Sequence, residues 1–100
     1  MQQKNNIHNT QPKFVFQLFV DSHSIASKKA ILNFNKLLET NLNGKYQLQI
    51  IDVYQHPALA IAENVLLVPL LIKKYPLPEV KIFGELSDTK KILSELLIEI

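Results

Sequence analysis

Two apolar segments of strand character, joined by one amphipathic helix, constrain this chain more than any other feature. Phe14-Val15-Phe16-Gln17-Leu18-Phe19-Val20 is aromatic and β-branched, carries no charge and follows Pro12. It reads as a strand buried on both faces, which belongs at the centre of a sheet. Asp21 to Ser24 is a cluster of turn and cap formers. Ala30, Ile31, Phe34, Leu37, Leu38 and Leu42 then recur at three- and four-residue spacing, which predicts a helix ending near Asn43-Gly44. Gly44 suits a left-handed C-terminal cap. In Tyr46 to Val53, Gln47 and Gln49 alternate with Tyr46, Leu48 and Ile50, so a second strand follows. A strand, a crossover helix and a strand make a βαβ unit, whose handedness rule makes the two strands parallel.

The second half is less regular. His56-Pro57 opens a short helical segment, Ala58 to Asn64, with Pro57 where a helix tolerates a missing N–H. Val65 to Ile72 reads as a third strand, yet Pro69 stands in its middle and cannot donate to a ladder, so a bulge, an edge or a cis peptide bond must accommodate it. Lys73 to Pro78 reads as a turn and Val80 to Phe83 as a fourth strand, pairing with the third as a hairpin. After Gly84, Ser87 or Asp88 caps a last helix with Ile92, Leu93, Leu96, Leu97 and Ile100 on one face. Leu96, Ile98 and Ile100 also alternate with Leu97 and Glu99, so a strand period competes there. The order β-α-β-α-β-β-α, with a proline at the start of the hairpin half, resembles the thioredoxin fold. In redox thioredoxins a CxxC motif opens the first helix, where this chain has Asp21 to Ser27 and no thiol.

Composition narrows function mainly by exclusion. With 100 residues, 47% of them apolar, the expectation is a flexible tail over residues 1–12 and a single domain over 13–100. Zero cysteines exclude disulfides, thiolate metal sites and thiol catalysis. All 11 basic residues are lysine and the net charge is only +2, so there is no guanidinium fork for phosphate or base edges, and nucleic acid is not an expected partner. The longest apolar run, Val65 to Ile72, is far short of the roughly 18 residues that span a bilayer, and the polar N-terminus lacks a secretory apolar core. A cytoplasmic, non-membrane protein is expected.

No catalytic constellation emerges. Asp21, Ser22 and His23 contain the residue types of a nucleophilic triad, but sequence neighbours splay apart and no glycine builds a nucleophile elbow, so a capping turn is the better reading. His8, His23 and His56 match no metal motif, and two glycines cannot assemble a Walker A loop or a dinucleotide fingerprint. Asp52, Glu63, Glu79, Glu85 and Asp88 are scattered singly. No catalytic residue, metal or cofactor is expected. Lys28, Lys29, Lys73, Lys74 and Lys81 read by composition as a solvated surface; gathered at one end of the sheet, they would dock an acidic partner.

The landmarks together resemble the KaiB family of clock proteins from Phe14 to about Leu97. They are Phe16 to Val20, Leu48-Gln49-Ile50-Ile51-Asp52-Val53, His56-Pro57-Ala58-Leu59-Ala60, Val68-Pro69-Leu70-Leu71, Leu77-Pro78-Glu79-Val80-Lys81 and Gly84-Glu85-Leu86-Ser87. Gln17 to Asp21 is also similar to the KaiB-like sensor domain of a clock histidine kinase. The resemblance implies a non-enzymatic regulator of a KaiC-like hexameric ATPase, in a circadian rhythm or stress-adaptation system, with other clock proteins as further partners. It implies a fold-switching chain: a thioredoxin-like monomer when bound, and a dimer or tetramer with the order β-α-β-β-α-α-β when free. It makes Lys29, Lys73 and Lys81 docking residues, and Pro69, Gly84, Glu95 and Leu97 the positions that tune the switch. The other functions considered are a kinase sensor domain and a thioredoxin-fold enzyme without redox cysteines.

Overall fold

The computed structural model describes residues 13–98. The tail expected over residues 1–12, and Ile100 of the last apolar face, lie outside the described residues. The elements are β1 (Phe14–Val20), α1 (Ile25–Asn41), β2 (Tyr46–Asp52), α2 (Pro57–Ala62), β3 (Leu70–Tyr75), β4 (Val80–Phe83) and α3 (Thr89–Glu95). The sheet order is β2-β1-β3-β4, with β1 parallel to β2 and antiparallel to β3, and β4 antiparallel to β3. The expected β-α-β-α-β-β-α order is thus the one observed.

Alternation along β1 divides the interior. Phe16, Leu18 and Val20 enter the larger core beneath α1 and α3, with Ala30, Phe34, Leu37, Leu38, Ile92, Leu93 and Leu96. Phe16 meets Phe34 edge to face, with ring centroids 5.0 Å apart, a geometry that aromatic quadrupoles favour. Phe19 points the other way, into a smaller cluster with Ile51, Ala60 and Ile72. The larger core has fifteen buried residues and the smaller has four, because α2 is only six residues long and covers only part of its face.

The caps follow from local sequence. The Ser24 side chain accepts from the Ser27 amide to start α1, and Asp88 accepts from the Lys91 amide to start α3. After α1 the chain turns through left-handed Asn43 (φ 49°) and Gly44 (φ 79°).

The third strand departs from the sequence reading of Val65 to Ile72. It begins at Leu70, immediately after a cis Val68-Pro69 bond, and Lys73, Lys74 and Tyr75 are strand residues rather than a turn. Pro69 has no N–H to offer, so pairing starts beyond it, while its carbonyl accepts from Gly84 N–H at 3.1 Å. Gly84 has φ 125°, a region open to glycine and strained for other residues. A register irregularity at Val15/Phe16 leaves Lys74 unpaired between Lys73, opposite Phe16, and Tyr75, opposite Val15.

The C-terminus resolves its competing periods as a helix. The Leu97 amide donates to Ser94 O at 3.1 Å and the Ile98 amide to Leu93 O at 3.0 Å, a Schellman ending with Leu97 in the left-handed position at φ 62°. This turn buries Leu96 and Ile98 and expels Leu97, which is 60% exposed. The apparent strand alternation therefore comes from a helix cap, and Leu97 does not belong to the apolar face assigned to it. A left-handed leucine costs about 1 kcal/mol or more, and glycine removes that strain at some cost in chain entropy. Leu97→Gly is expected to raise the melting temperature of the thioredoxin-like state by a few degrees. Thermal unfolding followed by circular dichroism checks this, and a lowered midpoint rejects the strain argument.

Candidate partner-docking surface

The C-terminal ends of β1 and β2 and the start of β3 meet at one end of the sheet, and Asp52 ties their loops together. Its Oδ2 accepts from the Ser22 amide at 3.1 Å and its Oδ1 from the Tyr54 amide at 2.8 Å. The Val53 amide also donates to Val20 O at 2.9 Å. Hydrogen bonding from Ser22, and next from the Tyr54 amide, holds the Asp52 carboxyl below the usual carboxylate range. At the same end the Asp21 amide donates to Ser27 Oγ at 3.0 Å, and Asp21 Oδ1 accepts from the His23 amide at 2.9 Å. His23 Nδ1 is 3.8 Å from Asp21 Oδ1 and its side chain is 94% exposed, so no aligned Ser–His–Asp relay exists. The hydrogen bonds describe a capping turn, set where a redox thioredoxin carries its thiols. Among the described residues no group of three or more His, Asp or Glu could hold a metal ion.

The three docking lysines read from the sequence do not share a surface. Lys29 lies on the outer face of α1 and is exposed. Ile25 and Leu32 share that outer face, 72% and 71% exposed, with Lys28, Lys29 and Lys36 between and beside them at helical spacing. Lys81 is exposed on β4 but points to the α2 face, because its neighbour Ile82 enters the core beneath α1 and α3. The sheet therefore lies between Lys29 and Lys81.

Lys73 is buried, 2% exposed, opposite Phe16 and Val80 in register. Among the described residues no carboxylate stands within ion-pair reach of it, and burial pushes its ammonium pKa down. As a surface docking charge Lys73 is corrected, because strand alternation carries it to the larger core's face of the sheet, beside Phe16 and Val80. Lys74 projects instead and bridges Glu63 at 2.7 Å and Glu79 at 3.0 Å, which raises its pKa. Of the four positions that the resemblance makes candidates for tuning a switch, Pro69 is buried before β3, Gly84 follows β4, Glu95 ends α3 and is exposed, and Leu97 holds the left-handed cap. The periodicity that predicts α1 follows its core-facing positions, so Ile25 and Leu32, on the opposite side, give no signal in it.

A four-stranded mixed sheet with α1 and α3 on one face, α2 on the other and a cis-proline before the third strand defines a thioredoxin-like α/β protein, here without thiols. The KaiB domain family pattern matches residues 17–98. The chain belongs to the KaiB family. It is 40% identical over 80 residues to the circadian clock oscillator protein KaiB of Picosynechococcus sp., covering 80% of this chain and 77% of that one. It is 35% identical over 81 residues to the circadian clock protein KaiB3 of Synechocystis sp., covering 81% and 79%. Among solved structures it is similar to the N-terminal domain of Synechococcus elongatus SasA, with a TM-score of 0.70, 25% identity and coverage of 87% and 85%. The Drosophila thioredoxin Deadhead superposes with a TM-score of 0.70 at 16% identity, a likeness of fold.

Two outcomes follow from the ionisable groups. Asp52 has a depressed folded pKa, so the stability it contributes is present above the ordinary carboxylate value near about 4 and is lost as pH falls through the folded value. Asp52→Asn should lower the melting temperature at neutral pH, with the gap from the parent chain closing in strong acid; a gap independent of pH rejects the charge-based account. Lys73 behaves oppositely: its folded pKa lies below the unfolded one, so stability rises as pH climbs from the folded value toward about 10.4. Lys73→Met should keep the fold and remove that alkaline rise, which denaturant titrations at several pH values would measure.

Proposed function

We propose that this protein is a non-enzymatic KaiB-type regulator that docks on a KaiC-like hexameric ATPase in the cytoplasm and modulates its phosphorylation state or signalling output. Family membership supports the reading, and the outer face of α1 carries it structurally. Ile25 and Leu32 present apolar side chains to solvent within a ring of Lys28, Lys29 and Lys36. Exposed apolar groups rimmed by like charges suit a protein interface with an acidic counterpart. Lys29 is the central docking charge, Lys81 serves a separate contact, and Lys73 acts only through the core.

The sensor-domain alternative is less favoured, since identity is 35–40% to the KaiB proteins and 25% to the SasA domain. The two-fold behaviour expected of the family puts the first half, through β2, in common between states. Pro69, Gly84, Glu95 and Leu97 then belong to the half that rearranges between this monomeric form and a free homo-oligomer.

Reversing the charge of Lys28 and Lys29 to Glu should slow association with the host's KaiC-like ATPase about tenfold at low salt, with a smaller difference at high salt. Biolayer interferometry on the purified ATPase measures this. Unchanged association kinetics would remove α1 from the interface.

A further inference from the structure

The β4 edge of the sheet carries a second surface, on the face opposite α1. In an antiparallel ladder, residues alternate between those whose backbone groups point to the partner strand and those that point away. Gly84 N–H donates to Pro69 O, and the same register pairs Ile82 with Leu71 and Val80 with Lys73. Val80 and Ile82 therefore turn their amides and carbonyls toward β3. Lys81 and Phe83 turn theirs off the edge, where no strand follows among the described residues.

The side chains of those same two residues lie on the α2 face. Phe83, 57% exposed, stands with Leu66 (90%) and Leu67 (65%) around a groove of about 220 Å³ that Asn64, Leu70 and Lys81 complete. Large apolar side chains this exposed, beside unpaired edge groups, mark an interaction site rather than an ordinary surface. Among the described residues Lys81 is the one charged residue lining the groove, and its Nζ donates to the Glu63 carbonyl at 2.7 Å. The Glu63 carboxylate is itself taken by Lys74 at 2.7 Å. Among the described residues, no carboxylate neutralises Lys81.

We propose that this edge binds an extended segment of a partner protein in which apolar and acidic residues alternate. The segment adds as a strand beside β4 and exchanges hydrogen bonds with the Lys81 and Phe83 backbone. Its apolar side chains fill the space between Leu66, Leu67 and Phe83, and a carboxylate meets Lys81. Charge decides against a second copy of this chain as the occupant. A self-pair centred on Lys81 sets ammonium opposite ammonium, and one that pairs Lys81 with Phe83 leaves both lysines unneutralised. A self-pair centred on Phe83 would need Glu85 as counterion, but β4 ends before Gly84, whose φ of 125° takes the chain out of the strand. The surface is separated by the sheet from the outer face of α1, so it stands independently of the docking proposed there and leaves both faces able to hold partners together.

The test uses the full chain, isotopically labelled and isolated by size-exclusion chromatography in the monomeric thioredoxin-like form that its amide shifts identify, titrated with a short capped peptide of alternating glutamate and valine and followed by amide shifts and hydrogen exchange. Shifts centred on β4, with newly slowed exchange at the Lys81 and Phe83 amides, are expected. Lys81→Glu should weaken binding about tenfold and transfer preference to a lysine–valine peptide, a reversal that a merely structural lysine would not produce. Leu67→Ser, at an exposed loop position that leaves the fold intact, should weaken both peptides. No shift at β4, equal binding of the glutamate and lysine peptides by the parent chain, or equal binding of a glutamate–valine peptide interrupted by proline would overturn the proposal. Protection of Lys81 and Phe83 that rises with protein concentration in the absence of peptide, in chains that keep the amide shifts of the thioredoxin-like form, would overturn it in favour of a self-paired dimer.

Discussion

Everything in this molecule hangs on β1 being paired on both sides and buried on both faces. Its ladders to β2 and β3 satisfy backbone groups that could not otherwise be buried. Its alternating side chains then supply one residue set to the core under α1 and α3 and another to the core under α2. A strand of this kind needs an uninterrupted apolar sequence, and Phe14 to Val20 is the segment that meets the requirement without charge, glycine or proline. The helices are placed by it: α1 buries Phe34 against Phe16, and α3 closes the same layer with Ile92, Leu93 and Leu96.

The inequality of the two cores shapes the surface. A long helix and a cap turn cover one face thoroughly, whereas six residues of α2 leave the other partly open. Leu66, Leu67 and Phe83 are exposed for that reason, and among the described residues no strand pairs beyond β4. At the same end of the sheet, the loops after β1 and β2 are held by Asp52, a carboxylate that accepts from amides on both sides. The turn where redox thioredoxins carry their thiols is thus held by hydrogen bonds.

The lysines show how far sequence reading reached. Their number and the absence of arginine were legible at once, and so was Lys29 on an amphipathic helix. That Lys73 is buried was not, because the apolar run ends at Ile72 and a lysine pair beside prolines reads naturally as a turn. Pro69 gave the clue, since a strand cannot be paired through a residue without an N–H, but the direction in which the strand would shift depended on β1 and β4 lying beside it. Leu96 and Ile98 are similar: their alternation was visible, and its cause, a left-handed turn after a helix, was not.

By itself the sequence determined the β1-α1-β2 unit, a helix cap within Asp21 to Ser24 and another at Ser87 or Asp88, the absence of thiol chemistry and the KaiB-like order of landmarks. These depend on periodicity, capping and composition, which act between residues a few positions apart. Only the tertiary structure decided where β3 starts, which lysines reach solvent, that Lys29 and Lys81 are divided by the sheet, and that Lys81 and Phe83 turn their backbone outward. Each of those follows from ladder register between distant segments, and a one-residue change of register moves every side chain and every backbone group to the other side.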